Sequence, residues 1–356
     1  MIKKLIKKCT AFILLFLISY LSAQEQEKPE RITVEEIQIN FSAFDSNGSF
    51  VPDVRLEDFV ILENGRIHQP VSVRYLPANV LILIDVGSEM PYAKRRKISA
   101  QIARELVNSL RKEDLIAIMQ YAEKISLVSD WTSDKKAIIE KLDERKLDIG
   151  KLSNFYLAII EAVKFLQKAK SNRHLVIITD GVDSSNQKET MRTALRDLLS
   201  SDVNVHVISW TSLQKRAIEE SLKVSPSIKK PQLPPGAEPP IQGSTPNFPV
   251  LTINLDREMI KKRRQDIEKL KKSESFLTEI SESTNGELFL PDSEEEMLTK
   301  APQLALNIDS QYTATYIPKS PLSEAQDGEV RIIEVFSKRQ GLLVQGKRKL
   351  IVSKTP

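Results

Sequence analysis

The sequence predicts an α/β chain: a doubly wound, mostly parallel sheet set between antiparallel β segments that form a small sandwich. Three observations carry this. Val80–Ile84 (VLILI) is a continuous apolar run, the pattern of a strand buried on both faces of a parallel sheet. From Asn79 onward, apolar strand-length runs alternate with helix-period stretches. On either side of that region, short runs alternate apolar and polar residues around Asn-Gly or Asp-Gly pairs.

In chain order, Ile32 and Val34 alternate, Glu35-Glu36 shifts the phase, and Ile37, Ile39 and Phe41 resume it. Asn47-Gly48 and Asn64-Gly65 are hairpin turns, the second joining Phe59–Leu62 to Ile67–Tyr75. Residues 31–77 read as antiparallel strands with one apolar face. Forty-odd residues make a thin core, so this segment is expected to pack on something else. After the VLILI strand, Ile98, Ile102, Leu106 and Leu110 fall at four-residue spacing within a helix from Lys94 to Leu110. Strands follow at Leu115–Tyr121 and Ile125–Val128. Thr132, Ser133 and Asp134 offer N-caps for a helix over Lys135–Leu142. The remaining alternation is a helix over Phe155–Lys168, a strand at Leu175–Thr179, a helix over Thr190–Leu199 and a strand at Val203–Trp210.

Residues 223–249 hold eight of the chain's 18 prolines and read as an exposed loop, since proline joins neither ladder nor helix interior. Asp256–Lys272, rich in charge, reads as a solvated helix. Phe276–Ser283 reads as the last helix before an Asn285-Gly286 cap, then a strand at Leu288–Leu290 and a helix over Glu294–Leu306. In the tail, Tyr312, Ala314 and Tyr316 share a face, Asp327-Gly328 marks a turn, and Val330–Phe336 and Leu342–Val352 are strands. The expected organisation is therefore an export signal at 1–23, an N-terminal β segment at 24–77, an α/β domain at 78–307 containing the Pro-rich loop, and a C-terminal β segment at 308–356. The economical arrangement pairs 308–356 with 31–77; two separate small β units are the alternative.

Charge and cysteine usage narrow the function. The 52 basic and 48 acidic residues give a net charge of +4. Lys3, Lys4, Lys7 and Lys8 precede an apolar run from Cys9 to Leu21 and a small residue at Ala23, the layout of a secretory signal peptide. Cleavage after Ala23 would leave a neutral chain, which argues against nucleic acid as a partner. It would also remove the only cysteine, and with it any disulfide or thiol chemistry. The expected location is outside the cytoplasm: periplasmic, extracellular or on the cell envelope. An uncleaved N-terminal anchor is the alternative and the one expected route to a membrane.

Ligands of doubly wound sheets sit outside the carboxyl ends of the strands. Three loops there carry oxygen-bearing side chains: Asp85-Val86-Gly87-Ser88-Glu89-Met90, Gly150-Lys151-Leu152-Ser153, and Thr179-Asp180-Gly181-Val182-Asp183. Such a set suits a hard divalent cation. In order and context these loops resemble a von Willebrand factor type A (VWA) domain, over about residues 78–307. Its metal-ion-dependent adhesion site is built from Asp-x-Ser-x-Ser, a Thr and an Asp. Asp85 matches the first Asp, Ser153 stands at the Thr, and Asp180 matches the second Asp. The flanks are similar to the VWA-related family described from Acidobacteria: Leu56–Gly65 (LEDFVILENG) resembles its leader, and Tyr312, Tyr316 and Asp327-Gly328 resemble its closing segment.

The resemblance implies Mg²⁺ or a similar divalent cation held by Asp85, Glu89, Ser153 and Asp180. The site departs from the pattern, because Gly87 and Glu89 replace two hydroxyl residues. Two outcomes stay open: a cation neutralised by a third carboxylate, or a vestigial site in which Asp85 and Asp180 only hydrogen-bond their loops. The resemblance further implies an exported, non-enzymatic binding protein contacting an unidentified protein partner. A structural or assembly protein and a metal-dependent hydrolase are the alternatives. Catalysis finds little support. His68, His174 and His206 are the chain's only histidines, and a strand of five steps, about 17 Å from His174 to Thr179, separates His174 from Asp180. There is no Ser-His-acid set and no Gly-rich phosphate loop.

Overall fold

The structure is a computed structural model that describes residues 35–87, 92–143, 147–148, 150–184, 188–223 and 252–354. The expected export signal, Glu89 and nearly all of the Pro-rich loop lie outside them.

Four strands come first: β1 (Ile37–Phe44), β2 (Phe59–Glu63), β3 (Arg66–His68) and β4 (Ser72–Arg74). The alternating region then supplies β5 (Asn79–Asp85), α1 (Tyr92–Ser109), β6 (Leu115–Tyr121), β7 (Ile125–Thr132), α2 (Lys135–Lys141) and α3 (Phe155–Leu166). It continues with β8 (Arg173–Thr179), α4 (Lys188–Ser200), β9 (Asn204–Ser209), α5 (Thr211–Lys223), α6 (Thr252–Ser283), β10 (Leu288–Phe289) and α7 (Glu294–Asp309). The tail adds β11 (Gln311–Tyr316), β12 (Val330–Ser337), β13 (Leu343–Gln345) and β14 (Lys347–Ile351).

The central sheet runs β10-β9-β8-β5-β6-β7, parallel throughout except at the β7 edge. Its strands carry apolar side chains on both faces because helices cover both. Val80, Ile82 and Ile84 pack with Ile102, Leu106, Leu304 and Ile308 of α1 and α7. The alternate residues Leu81 and Leu83 pack with Phe155, Ile159, Leu277 and Ile280 of α3 and α6. Each such side chain, fully buried, contributes about 1.5–3 kcal/mol relative to exposure.

The flanking strands interleave into two further sheets, β13-β1-β11-β4 and β14-β12-β2-β3. N-terminal β1 pairs antiparallel with C-terminal β11, and β2 with β12. Their inward faces share Ile39, Phe41, Phe59, Ile61, Tyr312, Tyr316 and Val335. The two ends of the chain thus build one core, which neither could fill alone. The reading of 342–352 as one strand needs correction. It breaks at Gly346, where a Cβ would lie 2.6 Å from the Phe41 Cβ, and its halves enter different sheets.

Sandwich and central sheet meet along a polar seam. The Arg348 guanidinium donates to the carbonyls of Gln38 (2.7 Å) and Ser201. Asp202 accepts from Arg173 Nη1 with both carboxylate oxygens and from Gln38 Nε2. Asn204 Nδ2 donates to Gln311. At the centre, Asn172 Nδ2 donates to the Leu76 carbonyl (2.9 Å), so its Oδ1 accepts from Asn40 Nδ2 (3.1 Å) and from His174 Nε2 (2.9 Å). That fixes the His174 tautomer: its Nδ1 is bare and accepts from His206 Nε2 at 3.1 Å. His206 Nδ1 then faces no hydrogen-bond partner among the described residues.

The helical arm is only half legible in the sequence. The separate helices read at 256–272 and 276–283 are one helix, α6, and α5 has no counterpart in the sequence reading. Ser273 Oγ donates to the Asp180 carbonyl at the carboxyl end of the sheet, while Thr284 Oγ1 accepts from Val205 N near the opposite end. Residues of α6 before Ser273 therefore lie beyond the carboxyl rim, and Arg257 is about 24 Å past it at 1.5 Å per residue. α5 runs out alongside, tied by Lys215–Glu274 and by Arg263 donating to the Ser221 carbonyl.

Burial holds both seam imidazoles neutral, lowering His206 to about 3; burial, then the neighbouring His206, keeps His174 well below its ordinary value. Unfolding restores proton affinities near pH 6.5, so below that pH the unfolded chain binds more protons and stability falls with decreasing pH. Each histidine adds a slope approaching about 1.4 kcal/mol per pH unit. The urea-unfolding free energy is expected to fall between pH 7 and 5 more steeply in the wild type than in His206→Phe. Equal slopes would show that His206 is not held neutral.

Candidate functional site

The carboxyl ends of β5, β6 and β8 deliver Asp85, Tyr121 and Thr179 to one place, because their parallel register sets Asp85 beside Tyr121 and Ile84 beside Ile178. The Asp85 carboxylate is buried and saturated. Its Oδ1 accepts from Gly87 N (3.0 Å) and Ser153 Oγ (2.9 Å), and its Oδ2 is met by Tyr121 OH (3.0 Å) and Thr179 Oγ1 (2.9 Å). These four contacts with described residues occupy the roughly four lone-pair sites of a carboxylate. The Tyr121 and Thr179 hydroxyls also touch each other at 2.7 Å, and Thr179 Oγ1 accepts from Gly181 N. Burial, and after it the Asp85 charge, pushes the Tyr121 phenol well up, so it stays protonated.

Asp180 sits one residue beyond this knot and is held from the other side. Its Oδ1 accepts from Val182 N and its Oδ2 from Gln214 Nε2 of α5, each at 3.0 Å. Ser153 N donates to Ser184 Oγ (3.0 Å), Ser184 N donates back to the Ser153 carbonyl (2.8 Å), and Tyr156 N donates to Asp183 (3.3 Å). The structure thus brings Asp85 and Ser153 into direct contact and places Asp180 at the same rim. Glu89 lies outside the described residues.

Gly87 explains how the loops close. It forms a parallel bridge with Gly150, and a Cβ on it would lie 2.3 Å from the Leu152 carbonyl oxygen and 2.6 Å from Ser153 Oγ. A serine at 87 does not fit this packing. Among the described residues the Asp85 oxygens are engaged by protein donors, position 87 offers no side chain, and no group of three His, Cys, Asp or Glu suited to a metal occurs; Glu89, the third expected carboxylate, is not one of them. What the rim presents instead is a rigid polar knot with Lys151 and Leu152 exposed above it, Leu152 at 47%.

Sequence reasoning alone misses Tyr121, Gln214 and Ser273. Tyr121 carries one signal, a hydroxyl ending an otherwise apolar strand; the other two are remote in sequence from the groups they bind. Removing the phenol in Tyr121→Phe is expected to cost about 1–2 kcal/mol, and Gly87→Ser about 1–3 kcal/mol through overpacking. Chemical denaturation measures both. A Gly87→Ser chain as stable as the wild type would contradict the closed loop.

The family model of the von Willebrand factor type A domain matches residues 80–182. An uncharacterized protein of Borreliella burgdorferi is 28% identical over 154 residues, 41% of this chain and 44% of the relative. The alignment therefore spans less than half of that curated relative. Among solved structures, a von Willebrand factor type A protein from Catenulispora acidiphila is 10% identical with a TM-score of 0.43, covering 91% of this chain and 76% of that one. An aerotolerance-related membrane protein from Bacteroides fragilis is 19% identical with a TM-score of 0.37, covering 65% of this chain and 99% of that one. With residues 80–182 spanning the strands and loops that assemble the Asp85 knot, the chain carries a von Willebrand factor type A domain.

Proposed function

We propose that this protein is an exported, non-enzymatic binding module that contacts a protein partner at the cell envelope, through the VWA loop face and without a metal ion. The observation that carries the reading is the closed rim: Asp85, Ser153, Tyr121 and Thr179 satisfy one another, with Lys151 and Leu152 among the exposed described residues beside them. A preorganised surface of this kind suits contact by shape and apolar burial, since little order is lost on binding. Export is inferred from the basic start, apolar run and small residue of the first 23 positions.

The non-enzymatic part rests on where the histidines lie. His174 and His206 are sealed in the seam at the starts of β8 and β9, and His68 is buried in the sandwich, so none reaches the rim to move a proton.

A second reading, an assembly protein, is favoured by the outer face of the β14-β12-β2-β3 sheet, where Ile67, Val330 and Phe336 are between 43% and 56% exposed. Capture from envelope extracts separates the two. A partner held by the wild type and by Phe336→Arg but lost from Leu152→Arg supports the loop face; the reverse pattern supports assembly through the sandwich. Millimolar Mg²⁺ or Mn²⁺ is expected to leave the melting temperature unchanged. A rise that disappears in Asp180→Ala would show a working cation site.

A further inference from the structure

The arm carries a charge distribution that the loop-face reading does not use. From Arg257 to Lys272 there are eight cations against three carboxylates. The chain beyond Ala23 balances 48 basic with 48 acidic residues, so positive charge is concentrated here and offset elsewhere. Lys269 lies 3.9 Å from Asp266 and Lys271 2.9 Å from Glu268. Arg257, Lys261, Lys262, Arg264 and Lys272 make no ion pair with a described residue, and all five are exposed. Arg257, Lys261, Arg264 and Lys272 recur at helical spacing along one side of α6, with Glu268 between the last two.

Two apolar side chains stand among these cations: Met259 at 46% and Ile260 at 40% exposure. Every residue from Arg257 to Lys262 is exposed, so this length of helix packs on nothing described. The Pro-rich stretch that precedes α6 cannot neutralise it, since residues 224–251 carry two lysines and one glutamate.

We propose that this outer half of α6 is a docking surface for an anionic phospholipid membrane. The complementarity is specific. Lysines and arginines that make no ion pair with a described residue, on a projecting helix, are attracted to lipid phosphates within a Debye length, and Met259 and Ile260 supply apolar groups that enter the headgroup boundary beside them. A nucleic acid would reward the cations but not the exposed Met259 and Ile260. The arm departs from the same rim as the Asp85 knot, so docking would turn the loop face toward the bilayer. The inference does not depend on the loop face having a protein partner.

The test is co-sedimentation of the full chain with vesicles of phosphatidylcholine alone or mixed with phosphatidylglycerol, comparing the wild type with the triple variant Lys261→Gln, Lys262→Gln, Arg264→Gln. These positions are exposed, and Arg263, which binds the Ser221 carbonyl, is left intact; circular dichroism checks that helix content is retained. The apolar run at residues 9–21 is common to both chains, so the difference between them isolates the arm. The wild type is expected to prefer phosphatidylglycerol vesicles, with a preference that falls as salt rises. Each cation removed should lower partitioning about fivefold, so the triple variant should lose about a hundredfold. Equal partitioning of the two chains would overturn the proposal. So would binding of the wild type to duplex DNA or polyglutamate with no preference for anionic over neutral vesicles, which would assign the arm to another partner.

Discussion

A single buried carboxylate organises this molecule's rim. Asp85 ends the central strand of a sheet whose neighbours bring Tyr121 and Thr179 alongside it, and Ser153 reaches it from the loop before α3. An ionised carboxylate that leaves water is costly unless hydrogen-bonded, and here four donors from four segments surround it. Each donor is positioned by a different strand or loop, so losing any one would strand the charge and release the segment that supplied it. The closeness of these segments depends on Gly87 and Gly150, whose backbones meet without side chains between them.

The same principle recurs at the other end of the sheet in neutral form. Asn40, Asn172, His174 and His206 make a chain of hydrogen bonds that crosses from sandwich to α/β layer, with Arg348 and Arg173 beside it. Polar groups buried this way specify one arrangement rather than adding much net energy, because each is satisfied only in the native register. The sandwich is consequently a fixed base for the VWA layer, and the segments expected to present function, the rim and the arm, lie at the opposite end.

Local patterns make most of the fold legible. The VLILI run, the four-residue spacing of Ile98, Ile102 and Leu106, and the Asn64-Gly65 turn each state their element in a few adjacent residues. The joined arm helix is less so, since its burial changes midway: Leu270, Phe276, Leu277 and Ile280 pack, whereas Arg257–Lys262 do not, and an apolar stripe that stops reads as two helices. The strand break at Gly346 depends on the approach of Phe41, about 300 positions away. At the rim, Asp85, Ser153 and Asp180 can be found by their place in the loops. That Asp85 is saturated cannot, because Tyr121 and Thr179 become its partners only once three strands are in register.

The central proposal is that Asp85, met by protein donors, works without a cation. Crystals grown in millimolar Mn²⁺, with anomalous scattering recorded above the manganese edge, test it most directly. The account predicts no anomalous peak at the rim and Ser153 Oγ still hydrogen-bonded to Asp85. A peak about 2.1–2.2 Å from the Asp85 or Ser153 oxygens, the distance of a small divalent ion from its oxygen ligands, would contradict it.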